Sequence, residues 1–311
     1  MGSHLAEELL GEEQQVLSTY LQPTINMGTV DPRVNFVELD VCDRQAVCEL
    51  IRSARPTEIY HLAAQSLPTV SWTDPWRTVR VNIEGTVNVF EAIREVHKSG
   101  AAYDPMVVIA CSSAEYGASL TPERVPITEE APLLPLHPYG VSKVGQDLLG
   151  YQYFYNHGIR CIRARIFNCT GPRKRDDVAS DFARAIVKAI AEGGAVRHGN
   201  LQTMRAIIDV RDMIKALIVL ARKGTAGEAY NICADKAYRI TEVLDLYFDI
   251  IGRRLPTHLD QALLRPSDEA VIFGDTAKIR ADTAWAPVYG LRQTLSDILA
   301  FEEEQQLSNV E

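Results

Sequence analysis

A tyrosine and a lysine four residues apart, Tyr139 and Lys143 in Pro138-Tyr-Gly-Val-Ser-Lys, are the strongest local sign of chemistry in this 311-residue chain. On a helix, four residues make just over one turn, so the two side chains share a face with Cβ atoms about 5–6 Å apart. An ammonium held beside a phenol favours the phenolate and lowers a pKa that is about 10 when unperturbed. Such a pair can exchange a proton with a substrate hydroxyl near neutral pH. Alone, Tyr-x-x-x-Lys is a weak signal, because both residues are common on solvated helix faces. Its weight comes from what precedes it.

Upstream, Met106-Val-Val-Ile-Ala110 reads as a strand and runs into Cys111-Ser-Ser-Ala-Glu-Tyr-Gly117. In open parallel sheets function gathers at the carboxyl ends of strands, so the hydroxyls of Ser112 and Ser113 can meet Tyr139. The bland alternative is a Ser-rich turn closed by glycine. His61-Leu-Ala-Ala-Gln-Ser66 follows another strand, and its small residues let backbone approach a ligand. Leu39-Asp-Val41 ends a third, where Asp40 either accepts a hydrogen bond from an adenine amine or leads a helix. These four signals, in this order and spacing, reinforce one another.

The elements that must position them follow from periodicity. Short apolar runs at 35–39, 58–62, 106–110 and 160–166 fit strands, and amphipathic stretches at 44–53, 82–97 and 139–156 fit helices. Alternation of the two implies βαβ units and an α/β fold with a doubly wound, mostly parallel sheet. After about residue 167 the regularity weakens, and Gly171-Pro172, Gly193-Gly194, Gly199 and Arg265-Pro266-Ser267 separate shorter elements. The expected division is therefore 1–166 and 167–311, the second part a smaller mixed α/β lobe partly interleaved with the first.

Composition bounds the rest. With 46% apolar and 23% charged residues the chain reads as an ordinary soluble globular protein. A formal charge of -9 argues against nucleic acid or an anionic membrane as partner, since phosphate surfaces demand clustered Lys and Arg. No apolar run approaches the roughly 18 residues of a membrane helix, and the start lacks the layout of a signal peptide. The expected location is cytoplasmic. Cys42, Cys48, Cys111, Cys161, Cys169 and Cys233 show no CxxC and no His at ligand spacing, so reduced thiols and no metal are expected.

Together these stretches resemble the extended short-chain dehydrogenase/reductase superfamily of sugar-nucleotide enzymes, over nearly the whole chain. The branch most similar is that of GDP-mannose 4,6-dehydratase and GDP-4-keto-6-deoxymannose reductase. The likeness is carried by Asp40-Val-Cys-Asp43, His61-Leu-Ala-Ala64, Ser112-Ser-Ala-Glu-Tyr-Gly117, Tyr139-x-x-x-Lys143 and Phe167-Asn168-x-x-Gly-Pro172. Gly199-Asn-Leu-x-x-x-Arg205, Asp209-Val-Arg-Asp212, Arg265-Pro-Ser-Asp-Glu269, Gly274-Asp and Trp285-x-Pro point to the branch.

The resemblance implies a Rossmann-like dinucleotide-binding domain over 1–166 and a sugar-nucleotide substrate lobe over 167–311. Tyr139 would be the acid/base, Lys143 would bind the nicotinamide ribose, and Ser112 would hydrogen-bond the reacting sugar oxygen. Asp40 and Val41 would flank adenine, while Leu62, Ala63 and Ala64 line the cofactor path. Ser113, Glu115, Asn168, Arg205, Arg265 and Asp268 would face the GDP-sugar, the arginines because guanidinium forks suit its oxyanions. Asp268 is shorter than the Glu the family has there. The cofactor is NADP or NAD. The end of the second strand, near 16–21, has neither an acid nor an Arg to read the ribose 2′ position; Arg33 lies just beyond, and the family tendency favours NADP. By analogy with relatives the assembly is a homodimer or homotetramer.

Dehydratases in this branch carry Ser/Thr-x-Glu-x-Tyr-Gly, the Glu removing a C5 proton. Aligned on Tyr116-Gly117, that position is Ala114, and Glu115 next to it would point to the opposite face of an extended segment unless the loop redirects it. The preferred reading is reduction of a C4 keto group; dehydration of GDP-mannose comes second, epimerisation third. A reading from another class is a catalytically silent sugar-nucleotide-binding protein. Its basis is the opening, Met1-Gly-Ser-His-Leu5, which starts a helical pattern with no strand ahead of it. In the superfamily the first strand runs into Gly-x-x-Gly-x-x-Gly, often ending Gly-Phe-x-Gly-Ser-His-Leu. Gly2 matches the third glycine, so the expected natural protein starts upstream of an internal Met, with an affinity-tag scar as the competing explanation.

Overall fold

All seven residues of Met106–Ser112 are buried, and they form an interior strand of the computed structural model, which describes residues 1–23, 25–100, 102–264 and 269–308. The strands that matter for the site are β1 (Leu17–Tyr20), β2 (Asn35–Glu38), β3 (Glu58–His61), β4 (Met106–Ser112), β5 (Cys161–Ile166) and β6 (Ala229–Ile232). The helices are α1 (Gly2–Gly11), α2 (Arg44–Ala54), α3 (Gly85–Lys98), α4 (Pro138–His157), α5 (Val178–Glu192), α6 (Val210–Lys223), α7 (Ile240–Ile251) and α8 (Leu291–Ser308).

Four strands make one parallel sheet in the order β6-β5-β4-β3. The two-residue period of β4 divides its side chains between two cores. Met106, Val108 and Ala110 meet Leu5 and Leu9 of α1 and Met213, Leu217 and Leu220 of α6. Val107, Ile109 and Cys111 meet Val47 and Ile51 of α2 and Phe90 and Ile93 of α3. A parallel sheet requires cover of this kind on both faces. The expected doubly wound arrangement is thus present, but in two pieces: β1 and β2 pair in parallel as a separate ribbon, Leu17 opposite Asn35. Among the described residues no strand pairs with the outer edge of β3 or the second edge of β1.

The sequence places these elements by recognisable means. Asp43 caps α2, its carboxylate accepting the Ala46 N–H at 3.0 Å. Pro138 occupies the first turn of α4, His137 Nδ1 accepts the Gly140 N–H at 3.0 Å, and Gly158 closes the helix at φ 65. One expectation is modified. The helix read over 82–97 begins only at Gly85, after a wider π turn at Arg80–Glu84. In that turn the buried Asn82 side chain accepts from Gln65 N–H and donates to Ser142 Oγ, both at 2.8 Å. These side-chain bonds, invisible to an amphipathic pattern, accompany the departure from α geometry.

Beyond residue 167, α5, α7 and α8 enclose a second core that includes Phe182, Ile186, Val243, Tyr247 and Leu295. Small strands frame it: Met204–Ala206 pairs with Ala237–Arg239 and Val271–Ile272, Val196–His198 with Thr257–Leu259, and Cys169–Thr170 with Ile208–Asp209. The later part of the chain also returns to the first sheet through α6 and β6. No described helix is long and apolar enough to cross a membrane, and the six cysteines are free.

Candidate active site

At the end of β4 the chain makes a 3-10 turn, Ser113–Glu115, locked by a reciprocal cap. Ser112 Oγ accepts the Ala114 N–H at 3.2 Å, and Glu115 Oε1 accepts the Ser112 N–H at 2.8 Å. Gly117 follows at φ 45, where a Cβ would lie 2.1 Å from the Leu134 carbonyl oxygen, so only glycine fits. The result is directional: Ser112, Ser113 and Ala114 line a cleft, while Glu115 is fully buried behind them. The expectation that Glu115 faces substrate is therefore corrected; the capping bond folds its side chain back on the strand end.

From α4, Tyr139 and Lys143 reach the same place, 9% and 3% exposed. Lys143 Nζ donates to the Ala110 carbonyl at 2.7 Å and sits 5.7 Å from the centre of the Tyr139 ring. Burial lowers the Lys143 pKa to about 8, against the pull of Cys111 and Glu115. Burial also pushes Tyr139 up to about 12, although the nearby Ser112 hydroxyl works the other way. The spacing of the pair predicts an acidified phenol; in this pocket desolvation governs and outweighs the Ser112 hydroxyl, while the Lys143 ammonium gives its hydrogen bond to the Ala110 carbonyl.

The cleft has a volume of about 400 Å³. Leu62, Ala64, Ser112, Tyr139 and Lys143 line one wall, and Asn168 and Arg205 the other. Asn168 Oδ1 is buried there with no hydrogen-bond partner among the described residues, an acceptor left for a ligand. Arg205 is buried, with Nη1 donating to the carbonyls of Met204 and Glu269 at 2.8 Å. Ala63 is half-buried between Leu62 and Ala64. Val41 is buried against Gly85, and the exposed Asp40 carboxylate accepts the Cys42 N–H at 2.9 Å. Gly2 is exposed in the first turn of α1. Arg265 and Asp268 lie outside the described residues.

Sequence reasoning missed Lys174, Arg197 and His198, which also line the cleft. For Lys174 the signal was there in Gly171-Pro-Arg-Lys-Arg175, a basic run after a turn. Its neighbour Arg173 is used otherwise, donating to Glu7 Oε1 at 3.1 Å and to His4 Nδ1 at 2.8 Å and so fastening α1 to this loop. These walls fit a nicotinamide dinucleotide together with an anionic sugar. Leu62 and Ala64 give the cleft an apolar stretch of lining alongside Tyr139 and Lys143. The first-turn N–H groups of α1, with no side-chain cap, suit a diphosphate.

Residues 1–298 match the family described as GDP-mannose 4,6 dehydratase. The chain belongs to that family. A GDP-6-deoxy-D-mannose reductase of Pseudomonas aeruginosa is 30% identical over 248 residues, 79% of this chain and 80% of the relative. A GDP-mannose 4,6-dehydratase of Vibrio cholerae is 24% identical over an alignment covering 99% of this chain and 92% of its own. Among solved structures, RMD from Pseudomonas aeruginosa complexed with NADPH has a TM-score of 0.80 at 26% identity, covering 94% of this chain and all of that one. The UDP-glucose 4-epimerase of Thermus thermophilus, in complex with NAD, has a TM-score of 0.85 at 26% identity, with 97% and 95% covered. The family setting is that of nucleotide-sugar dehydratases, reductases and epimerases.

Proposed function

We propose that this chain reduces the C4 keto group of a GDP-4-keto-6-deoxyhexose with NADPH or NADH. The observation that carries this reading is the content of the strand-end turn. Ser112 and Tyr139 line the cleft together, while the residue in the dehydratase base position is Ala114 and the adjacent carboxylate of Glu115 is turned away and buried. A methyl group cannot take the C5 proton that elimination requires.

When bound, the reduced nicotinamide supplies a hydride to C4 of the sugar. Ser112 Oγ donates a hydrogen bond to the C4 oxygen, orienting the carbonyl as negative charge gathers on it. Tyr139 gives its phenolic proton to that oxygen, so the carbonyl becomes a hydroxyl. A phenol raised to about 12 holds its proton at neutral pH, the state a donor needs. Lys143, buried against the Ala110 carbonyl, places a positive charge beside the phenolate left behind. Arg205 meets the sugar diphosphate on the far wall, and Asn168 Oδ1 accepts from a hydroxyl of the bound nucleotide sugar. Dehydration of GDP-mannose is the second reading, favoured by the family match itself.

The test uses the chain with GDP-mannose, and separately with GDP-4-keto-6-deoxymannose plus NADPH or NADH. The expected result is oxidation of the cofactor with the keto sugar alone. Release of the 4-keto product from GDP-mannose would overturn the ranking, and turnover of neither would favour a silent binding protein.

A further inference from the structure

Between Thr170 and α5 the chain makes a turn in which one residue type does not suit the backbone. The Lys174 N–H donates to the Gly171 carbonyl at 3.1 Å, Pro172 stands second in the turn, and Arg173 stands third at φ 69. Proline followed by a residue at positive φ makes this a type II turn, whose third position ordinarily holds glycine or asparagine because a Cβ is crowded there. Here it holds arginine. Backbone strain of this kind persists where the surroundings over-determine it.

Two residues of α1 do so. Arg173 Nη1 donates to Glu7 Oε1 at 3.1 Å; Nη2 reaches Glu7 Oε2 and donates to His4 Nδ1 at 2.8 Å. His4 turns its other ring nitrogen to the turn itself, Nε2 donating to the Pro172 carbonyl at 3.0 Å. That carbonyl belongs to the peptide whose orientation separates type II from type I. Helix α1 therefore grips both the flipped peptide and the side chain that follows it. The Arg173 side chain is only 12% exposed, so the anchor is largely shielded from water.

The other end of the loop is fixed as well. Asp177 accepts from Thr170 Oγ1 at 3.1 Å and caps α5, accepting the Ala179 and Ser180 N–H groups at 2.9 and 3.0 Å. Between the two fixed ends, Lys174 is half-buried and lines the cleft. Among the described residues no carboxylate forms a salt bridge with its ammonium. Of the acids on the same wall, Asp177 is engaged in the cap and Asp181 pairs with Arg184 at 2.6 Å. An ammonium held in a cleft without a counter-ion suits an anionic ligand group.

We propose that Arg173 is a positioning residue: anchored on His4 and Glu7, it holds the turn that presents Lys174 to the cleft, where the ammonium binds a phosphate oxygen of a bound nucleotide. Arg173 touches no ligand and works through Lys174. The proposal rests on the cleft holding nucleotides, as the reductase reading requires, and not on which reaction follows. Both the sugar nucleotide and the dinucleotide carry phosphate, and the test tells them apart.

Arg173→Gly suits the turn and lacks the anchor; Lys174→Met keeps the anchor and lacks the charge. Binding of GDP, and separately of NADPH, is measured by calorimetry on wild type, both single variants and the double variant. For one of the two ligands, Lys174→Met raises Kd about 10-fold. Arg173→Gly raises it about as much, and the double variant goes no further, because the anchor acts through the lysine. A rise with GDP puts the phosphate on the sugar nucleotide; a rise with NADPH puts it on the cofactor. Arg173→Asn, which also tolerates the left-handed conformation, gives the same pattern and serves should Arg173→Gly fail to fold. The proposal is overturned if Lys174→Met leaves both affinities unchanged. It is equally overturned if Arg173→Gly weakens binding as much when residue 174 is already methionine, the result of a purely structural role. Neither outcome depends on turnover, so the reductase reading is judged apart by its own assay.

Discussion

Lys143→Met tests whether a buried lysine is kept for chemistry or for the fold. Lys143 is 3% exposed, and burial moves its pKa from an ordinary 10.5 to about 8. Below pH 8 the amine is charged in both the folded and the unfolded chain, and the folded state bears the whole burial penalty. At about 1.4 kcal/mol per pKa unit that penalty is about 3 kcal/mol. Between pH 8 and 10.5 the unfolded chain holds a proton that the folded chain lacks, so wild-type stability rises with pH through this window. Methionine has no such proton; the one neighbouring carboxyl that also feels the change is Glu115, which the ammonium pulls down. At pH 7 the variant's advantage is offset by the lost bond to the Ala110 carbonyl, worth about 1.5–3 kcal/mol, so the absolute change is small. The difference between the two proteins is the signature: wild type gains about 3 kcal/mol on the variant from pH 7.5 to 10.5. Urea unfolding at half-unit steps reads it. Curves that stay parallel would refute a lysine destabilised by its site, as would a large loss of stability in the variant at every pH.

Tyr139→Phe removes one hydroxyl from the cleft wall; reduction should fall by about 100- to 10,000-fold with stability within about 1 kcal/mol of wild type, read by turnover and melting. Asn168→Ala deletes an acceptor that has no partner among the described residues, so KM for the nucleotide sugar should rise about 10-fold at little change in kcat or in Tm. Gly117→Ala puts a Cβ 2.1 Å from the Leu134 carbonyl oxygen at a positive φ. The expected loss is about 2–4 kcal/mol in urea unfolding, with lower kcat because the Ser112 turn is displaced.

How much of this was legible in the sequence depends on whether the deciding interaction is local. β4 was legible because seven buried residues in a row form a signal within one element, and α4 because Pro138 and Gly158 punctuate it. The meeting of Ser112 with Tyr139 and Lys143 followed from strand order, as all three sit where a βα unit opens. The separation of the β1–β2 ribbon from the other four strands had no local mark, since pairing partners are chosen far along the chain. Lys174 and Arg197 reach the cleft on segments whose course is set by the second core, and a basic run looks the same whether it faces solvent or a ligand.

The instructive failure concerns Tyr139. Counting charges, a lysine one turn away should acidify it, and the opposite is found. An ammonium acts on a phenol only as strongly as its direction and the surrounding dielectric allow, and here both are decided by backbone that the spacing does not mention. The Ala110 carbonyl takes the Lys143 hydrogen bond, and the closed strand end removes the water that would have stabilised a phenolate. A donor in a reduction benefits from that outcome, because it must arrive protonated and part with its proton only when an alkoxide forms beside it. Elimination would ask the same turn for a base, and the turn aims its one carboxylate away from the cleft. On the proposed reductase reading, the shape of three residues after β4, held by a reciprocal cap and a glycine, is what separates two reactions that the motifs around it have in common.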